Sequence, residues 1–266
     1  MSTVGHSPTD VSDAPWEALQ LLLPPPKWHP GGPGRKPRDR RRVFTGIVYV
    51  NKTGCQGRMI PPNIGKAHTI SGYVRRWRRE GVWARIMTTR RQWERQSQGR
   101  LPAPSACCAA SQSIKTATQG ADGGFDGHKQ ITGRQRPILV DPLGLIVAVV
   151  VTAAHTDDRL GLVAVLQRYW ASGVQRLRTI WVDAGDQAQW LSDWVRSRKR
   201  THKSDLEVVE HTGKGFQVVQ HRWKVERTVA WLLNDRRHSR DDETLTGSSK
   251  AMIQMSMIRL LLKRLA

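Results

Sequence analysis

Trp181-Val182-Asp183-Ala184-Gly185 closes an apolar run that starts at Leu177, and His221-Arg222-Trp223-Lys224-Val225-Glu226-Arg227-Thr228 reads as a helix rich in cations. The first stretch is a β-strand with a carboxylate at its end, and the second carries a carboxylate on a basic helix. A strand-end carboxylate projects into the crevice where open sheets bind ligands, and one on a facing helix closes that crevice from the side. Carboxylates are hard oxygen donors. Two divalent ions about 4 Å apart suit phosphodiester cleavage, because one activates the attacking oxygen while the other steadies the leaving one. Asp183 and Glu226 are therefore the candidate catalytic and metal-ligating residues, with Mg2+ or Mn2+ as the ion. Arg222 precedes Glu226 by four residues, so on a helix the two share a face, and its guanidinium can hold the carboxylate or reach a DNA phosphate. Arg227 is a second candidate DNA contact on this helix. For any one of these residues taken alone, the bland alternative is an ordinary surface ion pair.

Working outward, the same texture of short apolar runs and turns continues on both sides. Ala106 to Ile114 reads as a strand of small residues, followed by a Gly-rich loop from Gly120 to Gly133. Pro137 to Val140 and Leu145 to Val151 flank the turn Asp141-Pro142-Leu143-Gly144 and predict a hairpin. Asp157 or Asp158 caps a helix that runs to about Trp170, a further helix follows Asp183, and Leu206 to Val209 gives a fifth strand. This order predicts an α/β, ribonuclease H-like mixed sheet with flanking helices. The last helix, Ala251 to Leu262, carries Met252, Met255, Ile258 and Leu262 at core spacing.

The N-terminal part is helical and basic. Trp16 to Leu23 has helical spacing and is stopped by Pro24-Pro25-Pro26, after which a Gly/Pro-rich basic arm runs through Arg42. Phe44 to Val50 is strand or helix, and Thr69 to Arg79 is a helix closed by Gly81. In that helix Arg75, Arg76, Arg78 and Arg79 surround Trp77, which suits DNA phosphates and equally suits a solvated basic face with Trp77 in the core. Arg90 to Ser105 is polar with little periodicity and reads as a connector. The expected division is a helical DNA-binding region over 1–100 and a catalytic domain over 101–266.

Composition narrows the partner. In 266 residues, 43 Lys and Arg against 22 Asp and Glu leave a formal charge of +21, a field that attracts polyanions. Nucleic acid fits better than a membrane, because no amphipathic or lipid-anchored segment gathers the cations. The longest apolar run, Leu143 to Ala154, is too short to span a bilayer, and Met1 to Glu17 lacks the basic and apolar regions of a signal peptide. Three cysteines without C-x-x-C spacing, Cys55, Cys107 and Cys108, predict a reducing cytoplasm. Cys107-Cys108 reads as packing in a buried strand, His155 with Asp157 and Asp158 as helix capping, and no Walker loop implies ATP.

The landmarks together resemble bacterial insertion-sequence transposases of the DDE class over nearly the whole chain. Leu22 to Pro26, Thr53 to Pro61 and Tyr73 to Trp77 look like the DNA-binding half. Ser111 to Thr116, Gly124-Phe125-Asp126-Gly127, Leu139 to Gly144, Trp181 to Gly185 and Arg222 to Thr228 look like the catalytic half. The resemblance implies binding to double-stranded DNA at terminal inverted repeats, dimerisation on that DNA, metal-dependent cleavage and strand transfer, and a bacterial, cytoplasmic, nucleoid-associated location. It also assigns the first catalytic Asp to the position held here by Ala110, which offers no ligand. Asp186 stands where the family shows an aromatic residue, and Gly57 is a second departure. Three readings follow: a transposase impaired at Ala110, a catalytically inactive relic that still recognises element ends, and a basic nucleic-acid-binding protein for which Asp183 and Glu226 are structural.

Overall fold

A computed structural model describes residues 9–26, 28–32, 36–117, 122–174, 176–183, 185, 188–209 and 222–264, with the backbone alone for Lys199 and Arg222. In chain order the elements are α1 (Asp13–Gln20), α2 (Arg40–Thr53), a 3-10 turn (Gly57–Met59), α3 (Ala67–Arg79) and α4 (Val82–Ser97). There follow β1 (Ala106–Lys115), β2 (Gly124–Asp126), β3 (Ile131–Val140), β4 (Ile146–Val149), β5 (Thr152–Ala153), α5 (Asp158–Trp170), β6 (Thr179–Asp183) and α6 (Gln189–Ser197). The chain ends with α7 (Lys199–His202), β7 (Asp205–Val209), α8 (Arg222–Leu233), a second 3-10 turn (Arg236–His238) and α9 (Thr246–Lys263). It divides into two compact units, residues 1–90, 234–238 and 251–266 in one, 91–233 and 239–250 in the other. Helices α4 and α9 contribute residues to both.

The first unit is helical. The stretch around Phe44 is helix α2: Asp39 caps it by accepting from the backbone N–H of Arg41 (2.9 Å) and Arg42 (3.4 Å), and Gly54 at φ 67° ends it. The cap brings the last residues of the basic stretch, expected as loop through Arg42, into the first turn of α2. Phe44, Trp77 and Trp83 are buried together, with Trp77 and Trp83 edge to face at 5.3 Å. A buried polar set holds the unit's C-terminal segments: Asp235 accepts from Ser256 Oγ (2.6 Å) and Arg259 (3.0 Å), and Asn51 donates to Ser256 Oγ (2.8 Å).

The second unit is built on one mixed sheet, in the order β2-β3-β1-β6-β7, with β4 and β5 also pairing β3. β1 is antiparallel to β3 and parallel to β6, and β7 is parallel to β6. The expected hairpin is β3–β4, and the Gly-rich segment holds the short strand β2, antiparallel to β3 over Gly124–Gly133 to Asp126–Ile131. Cys107, Ala109, Ile180 and Val182 face a core shared with Leu162, Val165 and Leu166 of α5 and Leu191 and Val195 of α6.

The polar connector expected from Arg90 is instead the second half of α4. Its periodicity is real but written in charged residues: Arg90, Arg91, Glu94 and Arg95 are buried at helical spacing, while Trp93 is exposed. Arg91 donates to the carbonyls of Ile146 (3.1 Å) and Val147 (3.0 Å) on β4, and Arg95 pairs with the fully buried Asp141 at 2.5 Å. A hydrophobic pattern search passes over such a face. Similarly, β3 buries Arg134 and Arg136 against Asp241 (3.4 and 3.8 Å), with Arg134 also donating to the carbonyls of Glu243 and Thr244. Removing one partner of such a pair strands a buried charge, so Arg95→Met should lower unfolding stability by about 3–5 kcal/mol in urea denaturation. A loss below about 1 kcal/mol, the range of an exposed pair, would contradict this reading of α4.

Candidate active site

Strand register brings the first components of the site together. The parallel ladder pairs Cys108 with Trp181, and one pleat further along lie Ala110 and Asp183. Side chains alternate across a sheet, so Cys108, Ala110, Trp181 and Asp183 share the face opposite the α5–α6 core. On that face α8 presents Val225, Glu226, Val229, Ala230 and Leu233, the spacing of one helical stripe. The result is a cleft of about 400 Å3 whose walls include Ala110, Ser111, Gln112, Asp183 and Glu226. Thus Asp183, Glu226 and the Ala110 position, more than 40 residues apart in sequence at each step, line one cavity. Asp183 is half-buried and Glu226 exposed.

Two sets of contacts fix the walls. Trp181 donates its indole N–H to Glu207 on β7 (3.0 Å), and Lys224 Nζ lies 5.8 Å from the Trp181 ring centre. Helix α8 is pinned beside Glu226 by the β3–β4 turn: Thr228 Oγ1 donates to the Gly144 carbonyl (2.8 Å) and Arg227 Nη2 to the Leu143 carbonyl (3.1 Å). Arg227 is further held over the rings of Trp223 (4.5 Å) and Trp231 (4.7 Å). Gly144 is required there, since its φ is 82° and a Cβ would stand 2.9 Å from both Arg227 and Trp231. The turn itself is organised by Asp141, which accepts from the N–H groups of Leu143 and Leu145 (both 2.9 Å).

Burial pushes the Cys108 thiol up to about 11, with Lys224 acting in the opposite sense and Asp141 and Asp183 adding to the rise. At neutral pH it is a protonated thiol, and Cys107 is shifted upward by burial as well. Both act as packing groups in β1. Asp157 caps α5 by accepting from Arg159 N (2.8 Å), as capping predicts, and Asp158 pairs with Lys129 (3.4 Å). No group of three or more His, Cys, Asp or Glu side chains with metal-binding geometry occurs among the described residues. Asp186 lies outside the described residues, and Arg222 belongs to α8 with its side chain likewise outside them.

The remaining basic candidates lie in the first unit. Arg75, Arg76 and Arg79 are exposed on α3, Arg78 is half-buried, and Trp77 is in the core. Arg76 lies 4.7 Å from the Tyr73 ring centre. They occupy the last turns of α3, where cations complement the helix dipole.

A family model described as "Transposase DDE domain" matches residues 102–261, more than half of the chain. The chain belongs to the DDE transposases. Residues 11–87 of the chain match a second family model, described as "Putative transposase of IS4/5 family (DUF4096)". It is also similar to the "Insertion element IS402 uncharacterized 16.2 kDa protein" of Burkholderia cepacia, at 37% identity over 79 residues, 29% of this chain. The match spans about half, 54%, of that relative. No solved structure matched. Transposases with this domain act on DNA and depend on divalent metal ions. Among the described residues, no helix is long and apolar enough to cross a membrane.

Two landmarks that were unconnected in sequence meet in this unit. Ser113 of β1 donates to Asp126 of β2 (2.8 Å), which also accepts from the backbone N–H of Lys129 (2.9 Å) and His128 (3.0 Å). These bonds, led by that from Lys129, hold the Asp126 carboxyl below its ordinary range. A depressed folded-state pKa gives stability that is present above the unfolded value, about 3.9, and is lost as pH falls through the folded value. The stability difference between the wild type and Asp126→Asn should therefore shrink as pH is lowered below about 4 in denaturant titrations. A difference independent of pH would contradict the assignment.

Proposed function

We propose that the cleft is the active site of an insertion-sequence transposase whose cleavage chemistry is impaired at Ala110. The observation that carries this reading is the shared cavity of Ala110, Asp183 and Glu226. Asp183 and Glu226 are the catalytic carboxylates and the ligands of Mg2+ or Mn2+. Their hard oxygens fit a divalent cation, but the donor set falls one carboxylate short of three because Ala110 supplies only a methyl group. Bound ions of this kind supply Lewis acidity, which activates an attacking oxygen and stabilises the leaving one. The chain's own residues set the geometry: β6 holds Asp183 at its end, and the Leu143 and Gly144 carbonyls fix α8 at Arg227 and Thr228, next to Glu226. We assign Arg227 to that bracing, with Arg222, one turn before Glu226, as the candidate phosphate contact on α8.

The division of labour proposed is a helical DNA-binding region over 1–100 and the catalytic domain over 101–266. The partner is double-stranded DNA at the terminal inverted repeats of the element, bound by a homodimer in the bacterial cytoplasm, in association with the nucleoid. The high positive charge supports the DNA assignment. A catalytically inactive protein that still recognises element ends is the second reading, and Ala110 favours it.

The test is cleavage of a labelled duplex carrying the element's own end, with Mg2+ or Mn2+, by the wild type, Ala110→Asp and Ala110→Asp/Glu226→Gln. Cutting by Ala110→Asp alone is the expected result. Cutting by the wild type would contradict the impairment. Persistent binding with no cutting by any form would favour the binding-only reading.

A further inference from the structure

Cations are abundant on this protein, and most of those near the start of α2 already have partners. Arg40 donates to the Pro24 carbonyl (2.9 Å), Arg41 to the Val11 carbonyl and Asp13 (both 2.6 Å), and Arg42 to the Asn63 carbonyl (2.6 Å). Arg38 and Lys66 differ. Both are exposed, neither side chain makes a hydrogen bond or ion pair with the described residues, and both line a cavity of about 280 Å3 in the first unit. Arg42 and Thr69 share its wall, with Ile64 and Ile70 buried beneath. Asp39, the one acid among the described lining residues, accepts through Oδ1 from the N–H groups of Arg41 and Arg42.

We propose that this cavity binds a backbone phosphodiester of double-stranded DNA, with Arg38 and Lys66 as the charged contacts and Thr69 as a hydroxyl donor. The proposal rests on the DNA-binding reading above and moves its charged contact away from Arg75, Arg76, Arg78 and Arg79. Those four lie toward the C-terminal end of α3, where the helix itself attracts cations. Arg38, Arg42 and Lys66 stand around a concavity with room for a phosphate and add three positive charges against one carboxylate. Lys66 is moreover the residue at the N-cap of α3, in extended conformation, and no side chain caps that helix end, so its polarity reinforces the attraction for an anion.

The test is fluorescence anisotropy with a labelled 20-base-pair duplex of mixed sequence (about 20 phosphates per strand, enough to follow salt dependence). It compares the full-length wild type, Arg38→Gln/Lys66→Gln and the charge-matched Arg75→Gln/Arg79→Gln. All four side chains are exposed, so thermal unfolding should be unchanged in both variants. Losing Arg38 and Lys66 should weaken binding about tenfold and make the slope of log K against log salt less steep by about 1 to 2. The matched pair should change affinity by less than about threefold. Equal losses from the two pairs would overturn the pocket while leaving DNA binding intact. No binding by the wild type at low salt would overturn the DNA-binding reading, and the pocket with it. Loss of binding to phosphatidylglycerol vesicles, with duplex binding unchanged, would reassign the pocket to a membrane surface and overturn the proposal.

Discussion

Asp141 is fully buried in the turn between β3 and β4, where it accepts two backbone N–H groups and the Arg95 guanidinium. An unpaired carboxylate there would cost several kcal/mol, so the turn, the end of α4 and the carboxylate stand or fall as one arrangement. With its inner side fixed by Asp141, the turn offers the carbonyls of Leu143 and Gly144 outward, and these receive Arg227 and Thr228 of α8. Glu226 precedes Arg227, so its place on the cleft wall follows from a hydrogen-bonding chain that starts at Asp141. A polar device of this kind fixes rotation and height along a helix axis, which apolar packing alone leaves loose.

The opposite wall is fixed differently, by the sheet. β1 lies between β3 and β6, and its parallel register with β6, paired as far as Cys108 with Trp181, sets which residue of β1 comes to the cleft near Asp183. That residue is Ala110. Its small side chain costs the fold little in a half-buried strand position, and on the proposed reading the cleft lacks its third carboxylate there. On that reading, a well-formed cleft coexists with an incomplete set of groups for cutting DNA. Cys108, on the same face of β1, is held by burial as a neutral thiol.

Much of this was legible in the residues. Alternation and turn residues revealed β1, β3, β4, β6 and β7, and the strand-end Asp183 and the helical Glu226 stood out by position. What stayed hidden was written in polar residues. The second half of α4 buries Arg90, Arg91, Glu94 and Arg95, so its helical period carries no apolar signal. Arg134 and Arg136 are buried in a strand that alternation suggested only from Pro137, because their partner Asp241 lies about a hundred residues away in sequence. β2 is three residues long and Gly-rich, and tertiary pairing with β3 outweighs its weak propensity. Phe44 to Val50 suited either element until the Asp39 cap settled it as helix. Pairing across long sequence separations, the origin of the buried charges in α4 and β3, has no local signature.

The most direct measurement of the central claim is Mn2+ binding followed by electron paramagnetic resonance on the wild type, Asp183→Asn, Glu226→Gln and Ala110→Asp. If the cleft is the metal site and lacks one carboxylate, either loss abolishes the bound-ion signal and Ala110→Asp tightens binding by about tenfold or more, on the scale of changes at a metal site's immediate surroundings. Unchanged Mn2+ affinity across all four proteins would contradict it.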